Sequence, residues 1–350
     1  MLGTDSSAHP ERVYISDISA KNLSQEIRNG LQFVRFEEIV DADSTVFIKP
    51  NLTDSVHKFG ITTTPLMIQT VIEVVSPLVK RLLVGESDGG NYAFSADASL
   101  RNHGIYDIAQ HFSNVEVVNL SKLSRTRVAQ RVCGKTVWVE LPDLLLNDID
   151  CLISVPVFKA HAMTVGTFSI KNLWGCYPDP MRLLHHKNLD YKLALINKRI
   201  KNRVQIIDGF WSLDGHGPME GTHVATNKVL IANNPVAADA TAAYLMNLDT
   251  TKIGHIKVAE QYRLGTADLK SIQFNTPVQA ERFTNFKPYK VTLDQFNALT
   301  WRSELLGRIV YASPFTPFIY QFVNVFRPRD KRTFWAERNK IKLTGEQTSK

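Results

Sequence analysis

The chain has 350 residues, 44% hydrophobic and 21% charged, which bounds one large or two ordinary globular domains and excludes a disordered chain. Its net charge of +7 belongs to one end: residues 281–350 hold 13 Lys/Arg against 6 Asp/Glu, leaving 28 of each sign in the first 280 residues. The three cysteines, Cys133, Cys151 and Cys176, form no CxxC pair. That excludes a cysteine-only zinc or iron–sulfur site built by one chain and fits a reducing compartment. The polar start MLGTDSSAHPERVYISD has no apolar signal core and predicts a cytoplasmic protein.

Residues 1–40 read as an N-terminal segment. From about 41 to 280, short apolar runs alternate with amphipathic ones. The strand-like runs are TVFIKPN, RLLVGES, VEVVNL, TVWVEL, CLISVPVF, VQIIDGF, KVLIANN and KSIQFN. TVWVEL also reads as part of a side hairpin turning through CGK. Thr64-Pro65 opens a helix running to about Val79, with a capping residue and a proline at the first helical position. Asn234-Pro235 opens another through Asn247, and a third spans roughly Asp190 to Lys201. Strands alternating with helices predict an α/β fold with mostly parallel sheets and flanking helices. Two lobes, 41–150 and 151–280, are expected to face each other across a crevice. A basic, aromatic, helical tail (281–350) follows.

Polar clusters stand where strands end, which is where open α/β sheets bind ligands. After TVFI comes Lys49-Pro50-Asn51, a charge and an amide suited to an anion, or simply a polar loop before a helix. After RLLV come Glu86 and Asp88 among glycines, able to bind a metal or a hydroxyl, or a bare turn. Asp208-Gly209 leads to Asp214, His216 and a run of glycines, whose spacing does not fit a dinucleotide loop. It reads as a glycine-rich active-site loop or a structural one.

The densest stretch is Cys151–His186. Seven uncharged residues, Cys151–Val157, predict a buried strand. Lys159 and His161 follow, two apart and so on one side of an extended chain. The neighbouring ammonium favours a neutral imidazole, able to act as base or ligand. Thr164 is expected to cap a helix through GTFSIKNLW that places Lys171 two turns in, among Ile170, Leu173 and Trp174. Burial there would lower the lysine's pKa and make it a base or nucleophile. The plainer reading has Lys171 reaching water and His161 satisfied in the core.

Together, KPNL near position 50, GESDGG, PVFKAH, SIKNLWG with a following His, IIDGF…GHGP and NPVAADATA resemble the widespread family catalogued as domain of unknown function 362, over about residues 40–270. Many members of that family carry an iron–sulfur module, which the cysteine count removes from this chain. The family's last helix motif begins Asp-Pro. Asn234 replaces that Asp here, and Asp239 stands at the second Asp. A fainter similarity is to the lactate racemase family with its nickel-pincer nucleotide. Lys159-Ala-His161 is followed by Lys171 ten residues on and by His186 fifteen after that. That resemblance implies His161 as an acid/base group, Lys171 as the cofactor attachment and His186 as a nickel ligand. The Gly-Gly before the lysine is absent and the last spacing is one residue short.

The resulting expectation is an enzyme acting on a small anionic molecule. Lys49, Asn51, Lys159, Lys171 and Asn172 would hold the anion, and His161, supported by Asp208 or Asp214, would move protons. Isomerisation, racemisation, a redox step and group transfer stay open. The cofactor is unassigned, with a metal or a pincer-type nucleotide as the candidates. The alternative is a binding protein for a metallated or phosphorylated small molecule. The apolar run Ile309–Phe326, flanked by Arg308 and by Arg327, Arg329, Lys331 and Arg332, suits a membrane surface, a dimer contact across 300–332, or the protein's own core. Nucleic acid is not favoured, because basic and aromatic residues do not interleave around a binding motif.

Overall fold

Runs that lack polar alternation form the centre of one sheet. The structure, a computed structural model, describes residues 10–283, 286–288, 299–300, 303–316, 318–319 and 322. The strands in chain order are β1 (Arg12–Asp17), β2 (Thr45–Pro50), β3 (Arg81–Glu86), β4 (Val115–Asn119), β5 (Arg125–Val132), β6 (Lys135–Pro142), β7 (Cys151–Val155), β8 (Val157–His161), β9 (Val165–Thr167), β10 (Asn202–Asp214), β11 (Thr222–Val224), β12 (Lys228–Ala232) and β13 (Gln273–Phe274). Eleven of them make one sheet ordered β13-β1-β12-β10-β7-β2-β3-β4, with β8 and β11 paired to β10 and β9 paired to β8. From β10 through β7, β2 and β3 to β4 every pairing is parallel. β12 is antiparallel to both β10 and β1. The halves 41–150 and 151–280 are therefore stitched strand to strand, β2 lying directly beside β7.

Helices cover both faces. On one face lie α1 (Leu23–Phe33), α2 (Pro65–Val75), α3 (Ala96–Asn102) and α4 (Ile105–Ala109), packed with Val46, Ile48, Ile153 and Ile206. On the other, the hairpin β5–β6, α5 (Asp143–Asn147), α6 (Ser169–Asn172), α7 (Leu189–Arg199), α8 (Pro235–Leu245) and α9 (Gly254–Gln261) pack with Phe47, Leu152 and Ile207. Alternate residues of β2 thus feed opposite cores, the period-two rule for a doubly covered strand.

Three sequence expectations change. Segment 1–40 supplies β1, which enters the sheet between β13 and β12. RVYISD alternates half-buried and buried positions, a weak signal in so short a run. The helix expected from Thr64 ends at Val75 and is followed by a 3-10 turn, Ser76–Leu78, at Pro77. The helix expected from Thr164 does not start there. Val165–Thr167 is instead β9, antiparallel to β8 with Lys159 opposite Thr167 and His161 opposite Val165. Lys171 consequently sits in the first turn of α6. Of the basic tail, α10 (Glu304–Ala312) is described, and residues 323–350, with the expected cations Arg327, Arg329, Lys331 and Arg332, lie outside the described residues. No helix among the described residues is long and apolar enough to cross a membrane.

Candidate functional site

Parallel strands bring their carboxyl ends to one edge, and the polar clusters of the sequence converge there with two different fates. Lys49 is 1% exposed and its Nζ lies 2.5 Å from Glu86 Oε2, at the end of the neighbouring strand. Glu86 also accepts the Leu52 and Ser87 backbone N–H groups. The lid over this pair is Gly175, where a Cβ would stand 2.8 Å from Glu86 Oε1 and 3.0 Å from Lys49 Nζ. Asn172 donates to Lys49 O and to Ser154 Oγ, each at 3.0 Å, tying α6 to β2 and β7. Asn51 is 7% exposed and its backbone N–H donates to Thr63 Oγ1. Lys49, Glu86 and Asn172 therefore knit the edge together among themselves.

The carboxylates of the other clusters are likewise taken up by backbone. Asp208 Oδ2 accepts from Thr64 N at 2.7 Å and Oδ1 from Phe210 N, so it anchors the entry to α2. Burial raises its pKa. Asp88 Oδ1 accepts from Ala96 N at 2.7 Å, ahead of α3. Asp214 Oδ1 accepts from Gly215 N and Lys287 N. His216 Nδ1 lies 3.7 Å from Glu220 Oε2. The glycine-rich loop nevertheless closes on the site, since Gly217 O accepts from Ala162 N, next to His161.

The second fate is that of Lys159, His161 and Lys171. Lys159 is 1% exposed, its Nζ donates to Ile61 O at 2.9 Å, and burial with the nearby Lys171 charge lowers its pKa to about 7. Lys171 is partly exposed, and its ammonium makes no hydrogen bond or ion pair among the described residues. Desolvation brings it to about 7 as well, against the opposing pull of Asp190. The His161 imidazole is held well below its ordinary pKa by burial, then by Lys171, Lys159, His186 and His255. The Met163 N–H donates to His161 Nδ1 at 3.1 Å. A neutral ring accepting at Nδ1 carries its proton on Nε2. His161 is thus neutral, as the sequence suggests, but its second nitrogen is a donor instead of a base.

What holds Lys171 in place comes from outside the predicted stretch. Asp239 on α8, fully buried, accepts from Ser169 N at 2.8 Å and Ile170 N at 3.1 Å, capping the helix that carries Lys171. Burial raises Asp239 to about 8. His255 lies beneath it, Nε2 3.8 Å from Asp239 Oδ2, with burial lowering its pKa to about 3. Sequence reasoning gave His255 no role, and nothing in its spacing pointed to one. Arg182 was also passed over, although it lies within the dense stretch. Arg182 is 9% exposed, and its guanidinium donates to the carbonyls of Tyr177, Asp179 and Asp88. His186 is half-buried and its Nδ1 meets Leu183 O at 2.7 Å. Among the described residues no group of three or more His, Cys, Asp or Glu is gathered to hold a metal ion. The donor set expected of a nickel centre at His186 is not assembled among the described residues. Cys151 and Cys176 are buried, their thiols pushed up to about 12.

Known proteins are similar to this chain over different spans. The Thylakoid-associated protein sll1697 of Synechocystis sp. is 30% identical over 125 residues, 34% of this chain and 38% of that protein, so the match spans well under half of the relative's length. A crystal structure of a Thermotoga maritima protein aligns with 69% of this chain and 59% of its own, at a TM-score of 0.37 and 8% identity. The family model for domain of unknown function DUF362 matches residues 46–244, the span from β2 to α8 that builds the edge just described. That span exceeds half of the chain, and the protein belongs to the DUF362 family.

Proposed function

We propose that this protein is an enzyme that moves a proton on a small anionic carbonyl or hydroxy compound bound at the carboxyl edge of the sheet. The observation that carries the reading is Lys171, an ammonium with no hydrogen bond or ion pair among the described residues, surrounded by Lys159, His161 and His255. Half-buried cations without a carboxylate in hydrogen-bond contact are costly, and a bound anion supplies a closer partner than Asp190. With a pKa near 7, Lys171 holds both its protonated and free-base forms at neutral pH, as a general base must.

The roles follow from the hydrogen bonds. Lys159, anchored to Ile61 O, presents positive charge to the substrate's anionic group. Lys171 as free base removes the proton from the carbon beside the carbonyl. His161 Nε2–H donates to the carbonyl oxygen as negative charge develops there, a neutral donor doing the work of an oxyanion hole. Returning the proton to the same carbon from either side gives racemisation, and returning it to a neighbouring atom gives isomerisation.

The test is hydrogen–deuterium exchange. A panel of small 2-oxo and 2-hydroxy acids and sugar phosphates is incubated with the protein in D2O and followed by proton NMR. A substrate loses its α-proton signal, about 100- to 10,000-fold more slowly with Lys171→Met or His161→Ala. Exchange that is as fast in both variants as in the native protein sinks the assignment. Panel members that bind but never exchange favour the binding-protein reading instead.

A further inference from the structure

The second region of the molecule that calls for a partner is α10 and the turn after it. Ser303 Oγ caps α10 by accepting the Leu306 N–H. One side of the helix is used by the fold: Gly307 and Val310 are buried, and a Cβ on Gly307 would lie 3.7 Å from Leu184 in the turn Arg182–His185. The other side is apolar and open. Leu305 is 69% exposed and Ile309, one turn on, 42%. Past Ser313 the backbone turns helical again, Ile319 N–H donating to Phe315 O at 3.0 Å, and Phe315 and Phe318 are 66% and 71% exposed. Four large apolar side chains this open on one short segment exceed the scattered exposure normal for a soluble surface.

Charge decides what covers them. Between Glu304, in the first turn of the helix, and Asp330 the sequence holds no Asp or Glu, while Arg308 is exposed beside the apolar face and Arg327 and Arg329 follow in sequence. We propose that this face docks on an anionic lipid bilayer, with Leu305, Ile309, Phe315 and Phe318 entering the headgroup–acyl boundary and Arg308 pairing with lipid phosphates. A second copy of the chain is a poorer occupant. Its matching face would bring one segment of charge +7 against another. The described helices are too short to span, so the contact is peripheral.

The experiment is co-sedimentation of the full chain with vesicles of phosphatidylcholine alone or mixed equally with phosphatidylglycerol, beside the triple variant Leu305→Ser, Phe315→Ser, Phe318→Ser. Native protein pellets with the anionic vesicles, more weakly as salt rises. The triple variant partitions about a hundredfold more weakly, from the lost burial of three apolar side chains. Its far-UV circular dichroism and unfolding midpoint match the native protein, because the replaced side chains are exposed. No pelleting, equal pelleting with neutral vesicles, or equal pelleting of the triple variant each overturns the proposal. So does a native dimer in sedimentation velocity that the triple variant converts to monomer, if neither pellets with vesicles. That outcome assigns the face to self-association.

Discussion

Two lysines at the same sheet edge, Lys49 buried and Lys171 half-buried, have surroundings of opposite character. Lys49 leaves β2 where β3, its parallel neighbour in register, ends in Glu86, so the ladder itself delivers a carboxylate to the ammonium. Lys171 sits on a four-residue helix over the edge, and the carboxylate that shapes that helix, Asp239, is spent on two backbone N–H groups. A buried charge with its partner built in is architecture. One without a partner is a place for a ligand. The contrast also separates Lys49 and Glu86, which the sequence presents as ligand-binding, from Lys159 and Lys171.

The largest effect that tests this contrast is on stability. Glu86→Gln leaves the Lys49 ammonium buried without a counter-charge and is expected to cost about 3–5 kcal/mol. Lys171→Met removes an unpartnered ammonium, and is expected to lower stability by less than about 1 kcal/mol or to raise it. Urea unfolding at pH 7 measures both. Equal losses in the two variants would erase the distinction and make Lys171 as structural as Lys49.

A second test sharpens the comparison through pH. Lys159 has a folded pKa of about 7 against an ordinary value of 10.5. Between those values the unfolded chain holds a proton that the folded chain lacks, so folding stability gains from this group as pH rises from about 7 toward 10.5 and is weakest below 7. The slope is at most about 1.4 kcal/mol per pH unit for one proton. Lys159→Met should flatten the stability profile across that window. A native profile that already falls there, with the same slope in the variant, means that Lys159 keeps its proton. Exchange activity, if governed by Lys171 as free base, rises through pH 7 with a slope of one proton and loses that rise in Lys171→Met.

The sheet was legible because its strands are buried on both faces and therefore read as unbroken apolar runs. Residues 45–50, 81–86, 151–155 and 228–232 are all of this type. β1 was not, because one face of RVYISD is only half-buried and its pairing partners lie more than 200 residues away. The gathering of polar clusters at one sheet edge was legible for the same reason, as polar residues stand out where apolar runs stop. The division of labour within it was not. Whether Lys49 is neutralised depends on strand register, and whether His161 is a donor or an acceptor depends on one backbone N–H from Met163. The helix misplaced at Thr164 shows the limit of local propensity: pairing with β8 claims Val165–Thr167 before any helix can form. His255 touches the site only through α9, a packing partner that no local motif announces.

The smallest expected effect concerns the support beneath Lys171. Asp239 has a folded pKa of about 8 against an ordinary 3.8, so at neutral pH it is mostly protonated. Asn is nearly isosteric with that neutral form and keeps a carbonyl oxygen for one of the two N–H groups, which now meet separate oxygens. Asp239→Asn should therefore change stability at pH 4 by less than about 1 kcal/mol, whereas Asp239→Ala, which strands both donors, should cost about 1–2 kcal/mol there. The raised pKa fixes the sign of the pH dependence. The stability Asp239 contributes is full below 3.8 and is lost as pH rises through about 8, opposite to Lys159. Measured from pH 5 to 8, the native protein should lose stability relative to Asp239→Asn. A gain instead would mean that Asp239 is ionised and paired with a protonated His255, and the cap under Lys171 would then be an ion pair with the same logic as Lys49 and Glu86.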